Sequence, residues 1–236
     1  MPTPRPDWAL FLDIDGTLLD IAARPGDVEV PNMLAPTLAL AKSWLGGALA
    51  IASGRTLAEI DRLMAPLRLA CVGEHGAVVR EPDGAIIRAG AERAVPPAWR
   101  ARLHAAVREW PDVLVEEKAY GVAVHYRLAP GRQTEVRDLV ESVAGQDAAK
   151  FEVLPASMAF EIRHRSLTKA VAVNRFMTQP PFAGRIPVFV GDDVTDEDGF
   201  RAAVAMGGLA LNVNDSFSGR PSEVRRWLGG FASTKT

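Results

Sequence analysis

Two carboxylates stand two residues apart at the end of an apolar run, in Phe11-Leu12-Asp13-Ile14-Asp15-Gly16-Thr17. A hydroxyl and a cation follow a second apolar run, in Ser53-Gly54-Arg55, and an acidic pair follows a third, in Gly191-Asp192-Asp193. Clustered carboxylates repel one another unless a proton or a cation lies between them. A hard, oxygen-seeking ion such as Mg2+ suits the set, because it takes few carboxylates and fills its shell with water and phosphate oxygens. Asp13 and Asp192 are the first-choice side-chain ligands. Asp15 contributes through its backbone carbonyl, which leaves its carboxylate for proton transfer. A carboxylate can itself attack phosphorus and form an aspartyl phosphate. Asp13 suits that role, with Asp15 protonating the leaving oxygen and then taking a proton from water. Phosphoryl transfer depends on positioning and charge, so Ser53 and Lys169 are expected around the phosphate. Arg55 and Thr17 are further substrate-binding candidates, Thr17 serving equally to cap local amides. Taken singly, each fragment reads as a turn, a helix cap or a solvated lysine. Their joint occurrence after apolar runs of one sheet carries the chemistry.

The elements that must hold these groups are legible as alternating strands and helices. Ala9–Ile14, Ala48–Ala52 and Ile186–Val190 are continuous apolar runs of the kind buried in parallel sheets. Helical patterns follow over Asn32–Leu45, Leu57–Met64 and Glu197–Val204. Thr168–Met177 is a helix before the third strand, and a strand at Leu209–Val213 leads to a helix near Ser222–Leu228. This order predicts an α/β fold with a doubly wound parallel sheet, whose ligands gather outside the carboxyl ends of the strands. The middle of the chain differs. A helix from Pro96-Pro97 to about Glu109 precedes strands at Val113–Ala119 and Val122–Leu128, joined by a tight Tyr120-Gly121 turn. A helix near Gln133–Val143 then precedes strands at Phe151–Leu154 and Met158–Arg163. Helix-strand-strand, given twice, predicts a small α+β domain over 92–164, inserted into a core made of 1–91 and 165–236. Residues 232–236 are expected to form a frayed tail.

Composition bounds the rest. The 236 residues are 48% hydrophobic and carry a formal charge of −2, so no electrostatic footprint for nucleic acid or an anionic membrane is present. No window approaches the roughly 20 apolar residues of a bilayer span, and no signal-like segment opens the chain. The single cysteine, Cys71, sits in an apolar run and reads as buried filler. The expectation is a cytoplasmic monomer acting on a small anionic molecule.

The order Asp-x-Asp-Gly-Thr, Ser, Lys, Gly-Asp-Asp resembles the haloacid-dehalogenase superfamily across nearly the whole chain. The finer resemblance is to trehalose-6-phosphate phosphatases. It lies in Ser53-Gly54-Arg55, Gly73-Glu74-His75-Gly76, His125-Tyr126-Arg127, and the run Gly191-Asp192-Asp193-Val194-Thr195-Asp196-Glu197-Asp198-Gly199-Phe200. Such a resemblance implies Mg2+-dependent hydrolysis of a sugar phosphate, trehalose 6-phosphate, beneath an inserted lid. Two positions depart from the pattern: His164 follows Glu161-Ile162-Arg163 where proline is usual, and Ala170 follows Lys169 where glycine is usual. A phosphatase for sucrose, mannosylglycerate or hexose phosphates, a phosphomutase, and a sugar-phosphate sensor without turnover stand as alternatives.

In the insert, a two-residue turn at Tyr120-Gly121 would pair Glu116 with His125 and Lys118 with Ala123, since residues directly opposite share a face. Glu116, Lys118, His125 and Arg127 then line one side, with Glu161 and Arg163 of the last strand. Val115, Val122, Val124 and Tyr126 face the helices, and Glu117 falls on their side. The resemblance assigns Glu116, Lys118 and Glu161 to sugar hydroxyls, with His125 and Arg127 supporting or extending that set.

Overall fold

The computed structural model describes residues 1–22, 27–156 and 158–233. The chain divides into two compact units, Met1–Arg88 with Thr168–Thr236, and Ala89–Leu167. Those divisions lie three residues from the expected ones at each crossing.

The larger unit opens with β1 (Trp8–Leu12), α1 (Leu34–Trp44), β2 (Leu49–Ala52), α2 (Leu57–Met64), β3 (Ala70–Gly73), β4 (Val78–Arg80) and β5 (Ile86–Arg88). The smaller unit supplies α3 (Pro97–Val107), β6 (Leu114–Glu117), β7 (Val122–His125), α4 (Gln133–Ala144), β8 (Phe151–Ala156) and β9 (Ala159–His164). The larger unit then resumes with α5 (Ala170–Phe176), β10 (Ile186–Gly191), α6 (Glu197–Ala205), β11 (Leu209–Asn212), α7 (Val213–Ser216) and α8 (Pro221–Ser233). Because α8 runs to Ser233, only 234–236 of the expected tail remain, and they lie outside the described residues.

The seven-stranded sheet has the order β11-β10-β1-β2-β3-β4-β5. Its first five strands are parallel, four of them expected and β3 not, and β4 and β5 extend the edge antiparallel, so the sheet is mixed. Every residue of β1 is buried, as a central strand covered on both faces requires. Its alternation shows the two layers: Trp8 packs on Trp227 and Phe231 of α8, while Phe11 packs on Phe176 of α5 and on Phe189 of β10. Side chains two apart share a face. Asp13 therefore continues the parity of Phe11 toward the layer that contains α5.

In the smaller unit an antiparallel sheet of order β6-β7-β9-β8 packs one face on α3 and α4. Val122, Val124, Phe160 and Ile162 meet Trp99, Leu103, Val136 and Val140 in that core. The register corrects the expected pairing. Leu114 opposes His125 and Glu116 opposes Ala123, because the turn spans four residues and is closed by the Lys118 amide donating to the Gly121 carbonyl at 3.2 Å. Lys118 thereby leaves the ladder. A slip of two residues preserves the faces, so Glu116 and His125 still share one side. Glu117 lies on the other, where it pairs with Arg100 and His104 of α3.

Candidate active site

β1, β2 and β10 deliver their next residues to the same edge of the larger sheet. The Asp13 amide extends the ladder by donating to the Val190 carbonyl at 3.0 Å, and the Ser53 amide donates to the Val72 carbonyl at 2.9 Å. After Asp13 the chain turns sharply: the amides of Thr17, Leu18 and Leu19 all donate to the Ile14 carbonyl. Gly16 makes this possible twice over. Its φ of +77° belongs to the left-handed region, and a Cβ there would lie 2.0 Å from Asp192 Oδ2. The turn and the acidic loop thus approach to a distance that no side chain permits.

Lys169 is the N-cap residue of α5, and its side chain is 3% exposed. Its ammonium donates to Asp13 Oδ1 at 2.7 Å and to Asp196 Oδ1 at 2.8 Å. Burial pushes this ammonium toward neutrality, and Asp13 and then Asp196 outweigh it, holding its pKa above the usual lysine range. Asp196 Oδ2 accepts from the amides of Asp192 and Asp193, both at 3.2 Å, which fixes the acidic loop. Gly191 is required for that closeness, since a Cβ there would meet Asp196 Cγ at 2.3 Å. Asp192 is steadied by the Thr17 hydroxyl, which donates to its Oδ1 at 3.2 Å, and by Asn214 Nδ2, which donates to its carbonyl at 3.1 Å.

Asp13, Asp192 and Asp196 each offer a carboxylate oxygen within 4.8 Å of the others. Three carboxylates against the single ammonium of Lys169 give −3 + 1 = −2. That excess appears in the acids themselves. Burial first, with Asp196, Asp192 and Asp15 adding to it against Lys169, pushes Asp13 well above the usual carboxylate range. Burial and Asp196 push Asp192 up to about 6. All three donors are hard oxygens, so the set fits a divalent cation. Both Asp196 oxygens already hold Lys169 and two amides, so Asp13 and Asp192 are the side chains with capacity to ligate one. The Asp15 carboxylate is held by Arg55, whose Nε and Nη2 donate to it at 2.7 and 2.6 Å.

The structure brings together Asp13, Asp15, Thr17, Ser53, Arg55, Lys169 and Asp192. Thr17 serves Asp192, and Arg55 serves Asp15. The helix after Ser53 is capped by Thr56, in a capping box with Glu59, so Ser53 is not needed as the cap. Asp196 and Asn214 were not among the candidates. Asp196 lies in the Gly191–Phe200 run that carries the resemblance, four residues after Asp192, and the structure places it in a 3-10 turn (Val194–Asp196); nothing local marks Asn214. In the smaller unit, Glu116 shares a 2.7 Å hydrogen bond with His125, which holds its carboxyl below the usual range. Lys118 donates to Glu161 at 2.7 Å. Arg127 lies beyond the end of β7, in a turn.

The fold is that of the haloacid-dehalogenase-like hydrolases. A solved B. subtilis member superposes with a TM-score of 0.64 at 13% identity, covering 94% of this chain and 98% of that one. The C-terminal domain of C. albicans trehalose-6-phosphate phosphatase superposes with a TM-score of 0.78 at 20% identity, covering 97% of this chain and 93% of that one. The family model described as Trehalose-phosphatase matches residues 11–222. A probable trehalose-phosphate phosphatase of Sinorhizobium fredii is 42% identical over 235 residues, which is 100% of this chain and 86% of that protein. The chain belongs to the trehalose-phosphatase family, and it is a phosphoric monoester hydrolase. Among the described residues, no helix is long and apolar enough to cross a membrane.

Proposed function

We propose that this chain hydrolyses trehalose 6-phosphate to trehalose and inorganic phosphate, through an aspartyl phosphate on Asp13 and with Mg2+ as cofactor. The observation that carries the mechanism is the buried Lys169 ammonium, held between Asp13 and Asp196 with Asp192 alongside. Asp13 attacks phosphorus, Asp15 protonates the departing sugar oxygen, and Asp15 then takes a proton from the water that cleaves the acyl phosphate. Ser53 and Lys169 hold the phosphoryl oxygens. Asp13 and Asp192, with the backbone carbonyl of Asp15, would hold the ion, which when bound supplies positive charge between two anions. Family membership supports the sugar, and the polar face of the smaller sheet supplies groups suited to hydroxyls. Phosphate release from a panel of sugar phosphates, with and without Mg2+, tests the reading. Trehalose 6-phosphate is expected to lead the panel only when Mg2+ is present. Equal release from glucose 6-phosphate or sucrose 6-phosphate would replace the substrate while leaving the chemistry.

The acids also predict how the ion acts on stability. A carboxylate whose folded pKa is raised contributes stability below its unfolded pKa, near 4, and loses it as pH rises through the folded value. For Asp192 that window runs from about 4 to about 6. Metal-free protein is therefore strained by its own charge at neutral pH, and a divalent cation relieves strain only where the acids are ionised. Thermal melts should show a larger Mg2+-induced rise at pH 7.5 than at pH 5. Equal rises at both values would count against Asp13 and Asp192 as ligands.

Glu116, Lys118 and Glu161 are assigned to sugar hydroxyls, with His125 and Arg127 supporting them. A site built to bond hydroxyls loses selectivity when one partner is altered. Glu116→Gln is expected to raise KM for trehalose 6-phosphate by on the order of tenfold and to leave p-nitrophenyl phosphate hydrolysis unchanged. A parallel change with both substrates would remove Glu116 from sugar recognition.

A further inference from the structure

Arg55 has an anion within the protein itself. Its Nε donates to Asp15 Oδ2 at 2.7 Å and its Nη2 to Asp15 Oδ1 at 2.6 Å, a two-pronged contact that fixes the plane of the carboxylate. The Arg55 side chain is 8% exposed and that of Asp15 is 38%, so the fork grips the carboxylate from the protein side and leaves an open side. The arginine is itself restrained at several points. Its amide donates to Ser53 Oγ at 3.2 Å, its carbonyl accepts from the Glu74 amide at 3.0 Å, and its Nη1 lies 3.5 Å from Glu59 Oε1. Glu74 and His75 have φ of +47° and +55°, left-handed values that non-glycine residues rarely adopt. Strain of this kind persists where the surroundings over-determine it. Here the strained pair closes on the carbonyls of Arg55 and Ser53 together, through the amides of Glu74 and His75.

We infer that Arg55 is a positioning residue for Asp15, and not a ligand of the phosphoryl group. The inference rests on the reading of Asp15 as the proton-transfer carboxylate. A lysine keeps the charge but cannot reproduce the planar fork. Two substrates separate the roles, because trehalose 6-phosphate and p-nitrophenyl phosphate share the phosphoryl group and differ in the leaving oxygen. A sugar alkoxide needs a proton as it departs, whereas nitrophenolate leaves without one. The value of kcat/KM covers the steps up to the aspartyl phosphate, where that difference acts.

In Arg55→Lys and Arg55→Gln, kcat/KM for trehalose 6-phosphate is expected to fall by about 100-fold, within the range for a displaced general acid. For p-nitrophenyl phosphate it should change by less than about threefold, the margin being set by that same comparison. Asp15→Asn measured alongside should show the same selective loss. Equal losses on both substrates in the Arg55 variants, with selective loss in Asp15→Asn, would return Arg55 to the phosphate and overturn the inference alone. Equal losses in Asp15→Asn would overturn the proton-transfer role of Asp15 and the inference with it. Thermal melts of each variant verify folding; kcat/KM for p-nitrophenyl phosphate serves as the second check, since an unfolded variant loses both substrates.

Discussion

Asp13→Asn is expected to abolish phosphate release, lowering kcat by on the order of 10⁴-fold or more, while the protein stays folded. Asparagine matches aspartate in shape but its amide cannot form the acyl phosphate, so the loss is of the reacting atom. The stability argument runs the other way. Asp13 is buried, and its carboxyl is pushed well above the usual range by that burial and by Asp196, Asp192 and Asp15. A carboxylate with a raised folded pKa weakens the fold at neutral pH. Removing its charge in metal-free protein should therefore leave the melting temperature unchanged or raise it, although the Lys169 contact is weakened. Phosphate assays and melts in the absence of Mg2+ check both halves. Retained turnover would sink the assignment of Asp13 as nucleophile.

Lys169→Met should fail in both respects. Among the described residues the lysine is the cation bonded to both Asp13 and Asp196, and each of the three side chains is no more than 5% exposed. Taking the cation from a buried pair strands the charges it neutralised, at a cost of roughly 3–5 kcal/mol. In a protein of this length that lowers the melting transition by on the order of 10 °C. Activity should vanish, because Asp196 loses its bond to Lys169 and the site loses the ammonium proposed to bind the phosphoryl group. Addition of Mg2+, or acidification toward pH 5, should recover part of the melting temperature by relieving the same charge. A variant that melts with the wild type would show that the cluster holds itself together without the lysine.

The parts of this site that were legible in the sequence are those that end an apolar run. Asp13, Ser53 and Asp192 each follow a buried strand, so the strand fixes the side chain's address. Asp196 was harder to read because its role lies in one partner 27 residues away and in two nearby amides. Arg55 was legible as a site residue but not in its aim, which depends on how the Asp13–Thr17 turn folds back. The edge hairpin of β4 and β5 escaped because each strand has three residues, and β5 (Ile86-Ile87-Arg88) is wholly exposed, so no alternation of buried and solvated positions marks it. The β6–β7 register slipped by two because sequence alone does not distinguish a two-residue turn from one of four. The faces survived that error, since an even slip leaves the alternation intact.

The central position of β1 bears on how the chain is made. Its neighbours are β2, which follows soon after, and β10, whose Ile186 pairs with Trp8 across 186 − 8 = 178 residues. While the ribosome is still producing the middle of the chain, one edge of β1 has no partner, and an unpaired apolar strand invites association with other chains. The smaller unit, built from neighbouring helices and hairpins, closes within its own stretch of sequence. Asp13 is synthesised 156 residues before Lys169, and Lys169, Asp192 and Asp196 join it only when the segments around β10 dock. The cluster is therefore completed long after its first member is made, and β10 is both the seal on the sheet and the strand that brings Asp192 to Asp13.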